Sequence, residues 1–69
     1  MVENDKKIAS IISMAEQGDT EAQYTLGYYY EDGIGVKEDK EKSFYWYKKA
    51  AEQGNKIAKV KLKELGKLV

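Results

Sequence analysis

Apolar positions recur along this chain at helical spacing. Ile8, Ile11, Ile12 and Ala15 stand at i, i+3, i+4 and i+7, one face of a helix. Ala22, Leu26, Tyr29 and Tyr30 make a second stripe. Ser43, Trp46, Tyr47, Ala50 and Ala51 make a third, and Ala58, Leu62 and Leu65 a fourth. Punctuation residues separate the stripes. Gly18 and Gly54 end helices, and Asp19, Asp39 and Asn55 are N-caps for the helices that follow. The pattern predicts a first helix that begins after Asn4 or Asp5 and runs to about Gln17. A second covers Thr20 to Glu31, a third Lys40 to Gln53, and a fourth follows Asn55. Two connections are tight Gly-Asp or Gly-Asn turns, which force neighbouring helices antiparallel. The middle one is a longer glycine loop, DGIGVKED. The expected fold is all-α, an array of αα-hairpins rather than a closed bundle.

The second half of the chain repeats the first. Ala15, Glu16, Gln17 and Gly18 match Ala51, Glu52, Gln53 and Gly54 at an offset of 36 residues. At the same offset Asp19 meets Asn55, Ala22 meets Ala58 and Leu26 meets Leu62. A fixed period near this length is the mark of a stacked two-helix repeat. Gly27 interrupts a helix, at a cost of about 1 kcal/mol relative to alanine. Close approach of another helix accounts for it, with the small residues Ser43 and Ala50 as the expected neighbours.

Composition narrows the functional classes. The chain has 69 residues, enough for one domain. Twelve lysines balance twelve acidic residues, and arginine is absent, so no basic excess marks a nucleic-acid surface. No apolar run reaches the roughly 20 residues of a membrane span, and MVENDKKIAS lacks the apolar core of a secretion signal. A cytoplasmic protein is the simplest expectation. Histidine and cysteine are both absent, which removes the usual bases and nucleophiles and leaves Ser10, Ser13 and Ser43 without an activating histidine. Glu31, Asp32, Glu38 and Asp39 cluster around the glycine loop, but not at calcium-loop spacing, and Gly33-Ile-Gly35 is too short for a phosphate loop. No enzyme activity, cofactor or metal is expected.

The residue pattern resembles the Sel1-like repeat, a relative of the tetratricopeptide repeat. Ala22, Leu26, Gly27, Tyr30, Gly33, Gly35 and Val36 carry the first half of the hallmark. Asp39, Trp46, Tyr47, Lys49, Ala50, Ala51 and Gly54 carry the second, with Ser43 where the family has alanine. The resemblance implies a short right-handed αα-hairpin solenoid. Residues 1–69 would form one domain, with one full repeat at about 19–54 between half-repeat capping helices at 4–18 and 55–69. Lys7 replaces Ser43, and Lys63 replaces Gly27, in the two half-repeats. Large charged residues at those contact positions suit the ends of an array.

By the same resemblance, the working surface is the concave face, and the expected function is protein–protein interaction with a partner protein or peptide. Glu21, Tyr24, Tyr28 and Glu31 line it on the second helix, and Ile57, Val60, Lys61 and Glu64 on the fourth. The competing reading is that the apolar members of this set cover the seam between hairpins. Two other classes stay open at this point. One is self-association through Ile8, Ile12, Leu65, Leu68 and Val69; the other is an engineered or excised minimal repeat without a partner. A monomer is the expected state.

Overall fold

The computed structural model describes residues 2–66, and side chains from Lys7 onward. Four helices follow one another: α1 (Val2–Glu16), α2 (Thr20–Asp32), α3 (Lys40–Glu52) and α4 (Lys56–Gly66). No strand occurs among the described residues. Helix α1 starts at Val2, ahead of the expected cap at Asn4 or Asp5. Leu68 and Val69, expected on an exposed end, lie outside the described residues.

All three later caps form. Asp19 accepts from the Ala22 amide at 2.9 Å, Asp39 from the Lys42 amide at 3.1 Å, and Asn55 from the Ala58 amide at 2.8 Å. Each satisfies one of the amides that a helix start leaves without a partner. Gly18 and Gly54 have φ of 99° and 95°, which lets the chain reverse after α1 and after α3. The two turns are copies of one another: Asp19 N donates to Met14 O at 3.0 Å, and Asn55 N to Ala50 O at 3.1 Å.

Each helix packs on its successor: α1 on α2, α2 on α3, α3 on α4. The array measures 35 × 23 × 14 Å. Its thinnest dimension is little more than one helix diameter, so every helix keeps a face to solvent. The core is correspondingly small and falls in two parts. Ala15, Ala22 and Leu26 join α1 to α2, with Ile11, Ile12, Tyr30 and Trp46 packed around them. Tyr47, Ala50, Ala51, Ala58 and Leu65 join α3 to α4, with Tyr24 and Leu62 against them. Alanine dominates because the helices approach closely.

The α2–α3 seam explains Gly27. A Cβ built there would stand 2.8 Å from Cδ1 of Tyr47. The ring of Tyr47, not Ala50, therefore occupies the space the missing side chain leaves. Ser43 is a neighbour as expected, but through a bond: its Oγ donates to the Gly27 carbonyl at 2.7 Å. The middle loop folds back onto α1, where Gly35 lies against Ile8.

Candidate protein-binding face

Tyr47 organises one side of the array. Its side chain is fully buried, and its hydroxyl donates to Glu31 Oε1 at 2.8 Å. Burial, with Glu31 accepting the bond and adding its negative charge, pushes the Tyr47 hydroxyl far above the ordinary tyrosine value. It stays a neutral donor. Lys61 reaches from α4 to the same Glu31 oxygen, with Nζ 3.7 Å away, and lies 4.0 Å from Glu64. The Tyr24 ring packs on Tyr47 with centroids 5.6 Å apart.

Four of the eight expected face residues, Tyr24, Glu31, Lys61 and Glu64, thus meet in one network around Tyr47. Tyr24 and Glu31 are half-buried there, so Tyr24 belongs to the seam as well as to the surface. The other four are not tied into that network. Glu21 is exposed on α2. Tyr28 is 39% exposed and pairs with Tyr29 at 6.3 Å. Ile57 and Val60 are 57% and 56% exposed on α4. They share the helical face of Lys61 and Glu64 by spacing, at i, i+3, i+4 and i+7 from Ile57. The result is a wet, partly acidic surface with two uncovered aliphatic side chains and one accessible phenol.

Three of the four loop carboxylates have other work. Glu31 bonds Tyr47, Asp39 caps α3, and Glu38 pairs with Lys40 at 3.3 Å. Among the described residues no group of carboxylates is placed to hold a metal ion.

On the opposite side lies a groove that the sequence pattern did not single out. Ala15, Gln17, Gly18, Gln23, Tyr45 and Lys49 are among the residues that line it. Tyr45 is half exposed, stands edge-on to Trp46 at 5.1 Å and carries the Lys49 ammonium 5.4 Å over its ring. Gln23 is buried beneath, donating to Ala15 O at 3.0 Å. Gln53 donates to both Gln23 Oε1 (2.8 Å) and Gly18 O (2.9 Å), which ties the two glycine turns together. The recurrence of Gln17 as Gln53 was the available signal for this contact.

A row of αα-hairpins, each seated on the next through small residues, defines a helical-repeat protein. The Sel1 repeat matches residues 20–55, and the chain belongs to the Sel1 repeat family. Repeats of this family generally mediate protein–protein interactions. The chain is 51% identical over 45 residues to the Sel1-repeat-containing protein YbeQ of Escherichia coli, a stretch that covers 64% of this chain and 14% of YbeQ. It is 41% identical over 51 residues to the chitin synthase regulator SKT5 of Malassezia restricta, covering 74% of this chain and 4% of that protein. With SKT5 of Saccharomyces cerevisiae the identity is 45% over 49 residues, covering 71% and 7%. The chain therefore spans a small fraction of the curated relatives it matches. No solved structure matches it. No helix among the described residues is long and apolar enough to cross a membrane.

Proposed function

We propose that the chain is an adaptor module without a reaction of its own, and that it binds a protein segment on the concave face formed by α2 and α4. The 69 residues act as one unit, a full repeat at 19–54 between half-repeats. The observation that carries the site is the exposure of Ile57 and Val60, both more than half open to water, beside the Lys61 bridge to Glu31 on α2. Clustered apolar side chains with a polar rim mark interaction surfaces more often than solvated ones. The relatives support a protein partner: two are named as regulators of chitin synthase.

Two helices offer little area, so binding falls at the weak end of specific interfaces, roughly micromolar. Affinity capture from the source cells, with the captured proteins identified by mass, tests the reading. Ile57→Glu with Tyr28→Ala removes the capture, while Tyr45→Ala on the opposite side retains it. Capture that survives the first pair and is lost with Tyr45→Ala would move the site to the other face.

A further inference from the structure

Helix α3 presents a stripe that the α2–α4 face does not use. Lys42, Tyr45, Trp46 and Lys49 stand at i, i+3, i+4 and i+7, on one side of the helix. Trp46 packs inward against the Ala15, Ala22 and Leu26 cluster, and Tyr45 stands edge-on beside it, 51% exposed. Each lysine lies on a phenol ring. Lys42 Nζ is 5.4 Å from the centre of the Tyr30 ring, and Lys49 Nζ is 5.4 Å from that of Tyr45. A ring holds an ammonium in place without cancelling its charge. Both lysines are exposed, and among the described residues neither is ion-paired.

Two recesses flank the stripe. One, of about 530 Å³, runs from Tyr45 and Lys49 to the end of α1 at Glu16 and Gln17. The other, of about 420 Å³, lies between Lys42, Tyr30 and the middle loop at Val36 and Lys37. Each has room for a side chain. The charge around them favours an anion. Of the carboxylates on the two rims, Asp39 caps α3 and Glu38 pairs with Lys40. That leaves Glu16 against the ammonium groups of Lys37, Lys42 and Lys49.

The geometry points to this side of α3 as a second docking surface, for an extended acidic protein segment in which two carboxylates flank an apolar side chain. Lys42 and Lys49 are seven residues apart, about 10 Å along the helix axis. In an extended strand alternate side chains share a face, and each residue advances about 3.3 Å. Its first, third and fifth residues then present carboxylate, apolar group and carboxylate over about 13 Å. The reach of the two lysine side chains covers the difference. The apolar group between them lands on Tyr45 and the half-buried Trp46. Single-stranded nucleic acid also brings negative charge, but it needs open ring faces for its bases. Here Lys49 covers one face of Tyr45, and Trp46 is turned into the core.

An NMR titration of the labelled full chain with the end-blocked peptide Ser-Glu-Ser-Phe-Ser-Glu-Ser tests this. Amide shifts are expected at Lys42, Tyr45, Trp46 and Lys49, and added salt weakens the binding. Replacing both peptide glutamates by glutamine weakens it about tenfold or more, and so does Lys42→Glu with Lys49→Glu in the chain. Circular dichroism confirms that the variant keeps its helix content. Ile57→Glu leaves peptide binding unchanged, so the result stands or falls separately from the α2–α4 reading. A glutamine peptide that binds as well as the glutamate peptide, or a doubly exchanged chain that binds it undiminished, would overturn the inference. So would an absence of shifts on the stripe, or a uridine decamer that binds the same four residues more tightly than the peptide.

Discussion

The ring of Tyr47 lies directly on Gly27, with Cδ1 2.8 Å from where a β-carbon would stand. Atoms of real side chains do not sit so close, and the ring is held by the Glu31 bond at its far end and by Tyr24 along its edge. Alanine is ordinarily favoured over glycine inside a helix by about 1 kcal/mol. Here the contact reverses that sign. Gly27→Ala forces the seam apart and destabilises the chain by a net of about 1–2 kcal/mol. For a domain of this size each kcal/mol lowers the melting temperature by roughly 4–8 °C. A thermal melt by circular dichroism checks it, and a rise would mean that the ring yields freely.

Ser43 carries a second test of the same seam. Serine stands where the family has alanine, and by size alone Ser43→Ala should be neutral or slightly stabilising. The 2.7 Å bond to the Gly27 carbonyl, fully buried, gives the opposite expectation. Its loss costs about 1 kcal/mol, because the hydroxyl's contact has no water to replace it. Chemical denaturation of the two proteins, with equal slopes and a lower midpoint for the variant, is the expected result.

Stability at high pH reports on Tyr47. Its hydroxyl is held far above the ordinary value by burial and by Glu31, while an unfolded tyrosine ionises near pH 10. Above that pH the folded chain keeps a proton that the unfolded chain has lost. Stability therefore falls as pH rises, by about 1.4 kcal/mol per unit from this one group. Tyr47→Phe removes this contribution. Denaturation midpoints between pH 9 and 11 should fall less steeply for the phenylalanine variant than for wild type, and parallel curves would contradict a Tyr47 hydroxyl held neutral by burial and by Glu31.

Much of the fold is legible from single residues. Asp19, Asp39 and Asn55 announce helix starts because their short side chains bond the nearby backbone, and Gly18 and Gly54 mark the turns. These are local effects. The seam contacts are not local. A glycine in a helix signals a close neighbour, but whether Ala50 or the Tyr47 ring fills the space depends on the helix crossing. Gln23 reads as a surface residue in its own helix; it is buried only because Ala15 O and Gln53 come to it from two other segments. Tyr24 was divided in the same way. Its spacing puts it on the α2 face, and the chain twenty-three residues further on brings Tyr47 up to half-bury it. Ile57 and Val60 were readable as apolar side chains outside the buried stripe, and they are exposed.

The central claim is that the α2–α4 face binds a protein, and amide chemical-shift mapping tests it most directly. The isotope-labelled chain is titrated with the protein that affinity capture identifies. The account predicts shifts concentrated at Tyr24, Tyr28, Ile57, Val60, Lys61 and Glu64, with Tyr45, Trp46 and Lys49 little changed. Shifts confined to Tyr45, Trp46 and Lys49 would contradict it and assign binding to the groove on the other side.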